Sequence, residues 1–360
     1  MFIHLRKTIY INFILILLLF SSCSSVNTPT GPKPPALGKM NEIVVIADED
    51  LWEGIVGDSF KYYFGSAYPI MPSPEPMFDI RHYTPQELNG EPLRRELRTY
   101  VILSDLEDKS SATAAMIEQD LGKEKFRKAF KESDFTTSVG KNKWADGQLL
   151  FYLFGVGHES LFSTISRSFK TIASRVNDHD KGQLHSMTYS GSQVTGFNET
   201  LASKFGIKLG IPAKFKMAVE EGNMIWLRKD DGEFALNLVF DKKTYENQDQ
   251  LSTDALKDWI HEFGTNWVTT STEGSVMVIN EKDLPLFEYN QSIKGAFTNE
   301  IRGVWEMTLD FTGGPFFAYS ILNEKANEVI YIYAFVMAPG KPKRDKMQQL
   351  EHIVHSIEWM

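Results

Sequence analysis

"GVWEMTLDFTGGPFFAYSILNEKANEVIYIYAFVMA", Gly303 to Ala338, decides the fold. It holds three apolar, aromatic-rich runs, "GVWEMTLDF", "GPFFAYSILN" and "EVIYIYAFVMA", separated by short glycine-containing or polar breaks. Runs of this length rich in Val, Ile, Phe and Tyr read as strands, and breaks this short read as turns. Strands joined so tightly run antiparallel, because a parallel pair needs a crossover of a dozen or more residues. A meander is therefore expected. At its first break, Gly313-Gly314 offers the positive φ that a tight type I′ turn needs. Pro315 suits only the start or the edge of the strand that follows.

Around this meander the chain alternates strands and helices. Upstream, "GIPAKFKMAVEEGNMIWLRK" (210–229) reads as a hairpin turning at Glu221-Gly222-Asn223, "EFALNLVF" (233–240) as a strand, and "ETLASKFG" (199–206) as a short helix. "TDALKDWIHEFG" (253–264) is expected as a helix capped by Ser252 or Thr253 and ended by Gly264. "DKMQQLEHIVHSI" (345–357) is the last helix. In the first half, "EIVVIA" (42–47), "MFDIRHY" (77–83), "RTYVILSD" (98–105) and "QLLFYLFGVG" (148–157) read as strands. "SATAAMIEQDLG" (111–122) reads as a helix, and 158–176 as the clearest one, with Leu161, Ile165, Phe169, Ile172 and Val176 on one stripe. The expected class is α+β, with antiparallel or mixed sheets, helices packed on one face, and two similar halves, 40–176 and 184–360. The polar stretch "NDHDKGQ" (177–183) is the expected linker between them.

The N-terminus supplies an address. "FILILLLFSSCSS" (13–25) follows Arg6 and Lys7 and contains Cys23, the only cysteine of the chain. The apolar run is too short for the roughly 20 residues of a spanning helix and suits a signal-peptide core behind a basic n-region. A single thiol in an exported chain has no internal partner. Ser21, Ser22 and Cys23 resemble the lipobox of bacterial lipoproteins, in which the cysteine is acylated and the chain is cut before it. Residues 1–22 are thus expected as a signal peptide and 23–39 as a lipidated, palmitate-type anchor followed by a Pro-rich tether, "SSVNTPTGPKPPALGK". Ser24, in place of an acid after the cysteine, points by analogy to the outer membrane, facing the periplasm.

Net charge is -9 over 360 residues. An acidic chain lacks the cationic field that nucleic acid requires, so no nucleic-acid partner is expected. Catalytic motifs are sparse. "GVGHES" (155–160) brings His158 and Ser160 to a strand-to-helix turn, but adjacent helix positions do not face one another. "HEFG" at His261 is not a zincin motif, since position 265 is Thr. "DHD" (178–180) with His185 reads as solvated polar chain. His352 and His355 lie off the apolar stripe of their helix, and two histidines make half a zinc site. "DFTGGPF" (310–316) lacks the Lys-Ser/Thr of a phosphate loop. No metal and no cofactor are expected.

"GVWEM" (303–307), "DFTGGPF" (310–316), "FVMAP" (335–339) and "KRDKMQQLE" (343–351), together with "IVVIADEDLWEG" (43–54), occur in this order. In them the chain resembles a family of Bacteroidota envelope lipoproteins described only as a domain of unknown function. The resemblance implies lipidation and an envelope location, and brings no catalytic residues. Thr312 stands where a bulkier apolar residue is expected. The residues flanking the turn, Trp305, Phe311, Gly313, Gly314, Pro315 and Phe316, form the candidate binding surface, with core packing as the competing role. The function expected is a non-enzymatic binding or assembly module, held to the membrane by its lipid and meeting an envelope protein, peptide or glycan. The alternative is a hydrolase acting on an envelope substrate.

Overall fold

The computed structural model describes residues 32–191 and 196–360; Cys23 and the signal segment lie outside them. Strands β1 to β5 are Glu42–Ile46, Asp79–Tyr83, Thr99–Asp105, Thr137–Lys141 and Leu149–Gly155. They form one sheet in the order β2-β1-β3-β5-β4. The first four in that order run parallel, and β4 is an antiparallel edge. Helices α1 (Glu49–Trp52), α2 (Ile55–Phe64), α3 (Pro85–Gly90), α4 (Ala112–Leu121) and α5 (Lys123–Lys131) lie in the crossovers that parallel pairing demands, and α6 (His158–Thr188) follows the last strand. β1, β3 and β5 are buried at every position, as expected of parallel strands covered on both faces. Alternate residues divide accordingly. Ile43, Val45, Val101 and Phe151 pack with α1, α2 and α6, whereas Val44, Ile46, Tyr100 and Tyr152 pack with α3, α4 and α5.

The second half begins with α7 (Gly196–Phe205) and β6 (Ile207–Lys208). Its main sheet contains β7 (Lys216–Glu221), β8 (Met224–Asp230), β9 (Ala235–Thr244), β10 (Met277–Asn280), β11 (Phe287–Ile293), β12 (Ala296–Met307), β13 (Gly313–Asn323) and β14 (Glu328–Met337). All its pairings are antiparallel, in the order β10-β12-β13-β14-β9-β8-β7, with β11 also on β12. The meander of 303–338 is its centre. One face packs with α7 and α9 (Arg344–Val354), the other with α8 (Thr253–Trp267). β15 (Glu358–Trp359) closes on β6.

The α+β class and the division into two halves hold, and within them the helices cover both faces of both sheets. The halves differ in connectivity, one mainly parallel and one antiparallel. The expected linker at 177–183 is helical: α6 runs through it to Thr188. It is polar because that part of the helix leaves the first sheet, with Val176 the last residue of its buried apolar stripe. The end of the expected tether is laid on the body, with Ala36 N–H donating to Asp146 carbonyl at 2.7 Å and Leu37 N–H to Glu96 carbonyl at 2.6 Å. Gly264 does not end its helix. A Cβ there would stand 2.3 Å from the Met277 carbonyl, so the glycine serves the approach of α8 to β10. Among the described residues no helix is long and apolar enough to cross a membrane.

Candidate functional site

At the hairpin, the turn falls at Thr308–Thr312, with Met307 N–H donating to Thr312 carbonyl at 2.8 Å. Gly313 and Gly314 are strand residues opposite Glu306 and Trp305, and neither has a positive φ. The expected type I′ turn is thus corrected. These glycines are required by close approach, since a Cβ on Gly314 would stand 2.0 Å from the Val336 carbonyl and 2.9 Å from Trp305 Nε1. Pro315 pairs with Val304 on one side, and the ladder to β14 starts one residue later, so its missing N–H is spared at the strand start. Trp305 is 1% exposed and Phe316 is 0% exposed. Their rings stand edge-on to Phe335 at 5.8 Å and Tyr333 at 5.4 Å. Phe311 is fully exposed. The six residues therefore do not form one surface: Trp305, Gly314, Pro315 and Phe316 are buried in the sheet, Gly313 is half-buried, and Phe311 stands out in solvent. A recess of about 440 Å³ beside the turn is bordered by Phe311, Asp310, Asn280, Asp283 and the edge of Trp305.

The carboxyl ends of the parallel strands are where open α/β sheets bind ligands, in the crevice at the switch in strand order. Here those positions are filled from within. The Asp48 carboxylate, after β1, accepts from Ser111 Oγ at 2.6 Å, Thr113 Oγ1 at 2.8 Å and Ala112 N–H at 3.2 Å, at the start of α4. Asp105, ending β3, accepts from Gly157 N–H at 2.8 Å, just before α6. These aspartates take the helix-start donors that an anionic ligand would need. His158 lies 3.6 Å from Asp105 and is largely exposed.

Where the halves meet there is a cleft of about 860 Å³. It is lined from the first half by Asn41, Asp180 and His185, and from the second by Gln348, His352 and Ser356, among others. Its walls are fixed by cross-half contacts. Asn41 has φ 58°, a conformation Asn tolerates better than most residues. Its N–H donates to Asp180 at 2.8 Å, and its side chain to Gln348 at 2.7 Å and Asp345 at 3.1 Å. Arg98 pairs with Asp180 at 3.3 Å. Burial raises the Asp180 carboxyl above its ordinary range, against the pull of the Asn41 N–H and Arg98. Glu75, from the first half, accepts the N–H groups of Lys343 at 2.7 Å and Arg344 at 2.8 Å, capping α9. Arg344 answers with a pair to Asp79 at 3.0 Å. Ile70 and Met71 of the first half are buried in the core of the second.

The cleft's reactive side chains are occupied separately. Ser356 Oγ donates to the Ile353 carbonyl at 2.6 Å and accepts from Gly210 N–H at 3.0 Å. His355 Nε2 faces Tyr319 hydroxyl at 3.4 Å. Glu351 is paired with Arg302, itself bridged to Glu300. His185 Nδ1 and His352 Nε2 stand 3.2 Å apart. Among the described residues no hydrogen bond joins a cleft serine to a histidine, the geometry that nucleophile activation requires. His185 and His352 belong to motifs dismissed separately in the sequence. Their 167-residue separation gave no periodic signal that could have united them.

Two family models match the chain. Residues 36–187 match a model described as Domain of unknown function (DUF8532), and residues 195–356 match one described as Domain of unknown function (DUF4837). The resemblance to a family known only as a domain of unknown function is thus met by two adjoining domains, one for each half. No curated protein matches the chain. Among solved structures it is similar to one of a mutant of the protein Mog1, at 12% identity and a TM-score of 0.26, covering 43% of this chain and 90% of that one. A likeness so distant carries no argument about fold or function.

Proposed function

We propose that this chain is an outer-membrane lipoprotein, acylated at Cys23 and facing the periplasm, whose body binds a polar partner or ligand without chemical turnover. The observation that carries the binding reading is the cleft of about 860 Å³ between the halves. Polar side chains of both halves converge there; its Ser356 is bound to backbone groups, and His185 and His352 face each other. The lipid anchor rests on the basic n-region, the short apolar run and the lone cysteine of 1–23.

Two measurements test it. Cys23→Ser should shift the protein from the membrane pellet to the soluble fraction, or leave an uncut precursor; wild-type fractionation would refute the anchor. Affinity capture from solubilised envelopes should lose its specific partner when Lys181 and Lys208, both exposed on the cleft wall, are changed to Glu. Capture that survives both charge reversals would refute the cleft as the binding site.

A further inference from the structure

We propose that His185 and His352 together bind a divalent transition-metal ion, of the zinc or copper class, across the junction of the halves. This deepens the reading of the cleft as a binding site and rests on it. His185 is on the last turn of α6 and His352 on the last turn of α9. Helices from opposite halves therefore present two imidazole nitrogens to one point, His185 Nδ1 and His352 Nε2, at 3.2 Å. A tetrahedral metal with nitrogen ligands at about 2.0–2.1 Å spaces two of them roughly 3.3–3.4 Å apart. The pair is thus set at nearly the edge length of such a site before any ion enters.

The surroundings suit the ion. The rings are held at 84° to each other, with centroids 5.4 Å apart, and Tyr189 packs on His185 at 4.7 Å and on His352 at 5.8 Å. Metal binding needs neutral imidazole. Among the described residues no third His, Cys, Asp or Glu completes a set of three. Two coordination positions are left for water or a bound ligand, which makes this an open, exchangeable site instead of a closed structural one.

The same 3.2 Å also suits a hydrogen bond in which one neutral ring donates to the other, and the experiment separates the two. Untagged, detergent-solubilised full-length protein is stripped with chelator and titrated with Zn²⁺ by calorimetry near pH 7.5. Expected are one saturable site per chain and a rise in melting temperature with Zn²⁺, since an ion that binds only the folded state stabilises it. His185→Ala and His352→Ala should each weaken that site by about 10-fold or more, since loss of a direct ligand costs at least what loss of its outer-shell partner does. His158→Ala, on an exposed ring far along α6, should leave the site unchanged. No saturable binding, or binding that survives His352→Ala, or binding lost equally in His158→Ala, would overturn the proposal. Partner capture that persists in a chain shown not to bind Zn²⁺ would overturn the metal and leave the cleft reading standing.

Discussion

The two halves solve the same problem in opposite ways. Each buries both faces of a sheet, but the first satisfies its helix starts from within, Asp48 serving α4 and Asp105 the start of α6. The second half takes from its neighbour. The amides of Lys343 and Arg344, at the start of α9, are held by Glu75, and the second half's core is completed by Ile70 and Met71, all from the 65–78 loop of the first half. That loop carries a cost, because Ile70 sits at φ 65°, where a β-branched residue is strained by roughly 1–3 kcal/mol. Burial in the other half's core holds it there. Dependence therefore runs mainly one way, and the junction is a built part of the second half as well as a boundary between two domains.

The largest test lies in the core of the second half. Trp305→Ala should destabilise by about 3–5 kcal/mol, the range for truncating a buried Trp, read as a shift of the denaturation midpoint. Phe311→Ala, at the tip of the same hairpin, should change stability by no more than about 0.5 kcal/mol, as for an ordinary surface site. Comparable losses from both would mean that Phe311 is covered, and would restore the hairpin as a single packed unit.

The asymmetry between halves is sharpened by Glu75→Gln. The substitution lies in the first half, yet it should loosen the second. Weakening a charge-assisted bond to two helix-start amides should cost on the order of 1–3 kcal/mol. Amide exchange should speed up first at Lys343 and Arg344. Faster exchange confined to the first sheet would break the comparison.

The smallest effect concerns the turn of the hairpin. Hydrogen bonds from Ser275, then Thr270 and Thr272, hold the Asp310 carboxyl below its ordinary value. A carboxyl depressed in the folded state contributes stability above its unfolded value and loses it as pH falls through the folded one. Amide exchange around Thr308–Thr312 should therefore rise only on acidification below the usual carboxylate range of about 3.9. Asp310→Asn should remove that pH dependence; an unchanged profile would assign it to another group.

Much of the fold is legible locally. β1, β3 and β5 are short β-branched or aromatic runs, and the meander of 303–338 can be read from its tight breaks. Ser111 and Ser252 cap the helices that follow them. All of these depend on residues a few positions apart, where period, propensity and capping chemistry act. α5 escapes such reading because its many lysines hide a narrow apolar face, Phe126 and Ala129, that only the neighbouring sheet makes meaningful. The extension of α6 through 177–188 escapes it for a related reason: polar chain resembles linker until Asn41 and Arg98 are seen to hold Asp180.

By itself the sequence determined the class of fold and the strands of the meander, with a lipoprotein-type N-terminus and no nucleic-acid partner as expectations. The tertiary structure decided what the glycines and histidines are for. Gly313 and Gly314 look like turn residues, because a bare glycine pair carries no record of whether it is needed for φ or for space. Only the packing of Trp305 and Val336 against them chooses space. His185 and His352 are ordinary polar positions on separate helices, and what places their nitrogens 3.2 Å apart is the docking of one half on the other. That docking arises from Glu75, Asn41 and Ile70 acting over hundreds of residues of chain. No local pattern encodes such contacts, since they exist only once both cores have formed.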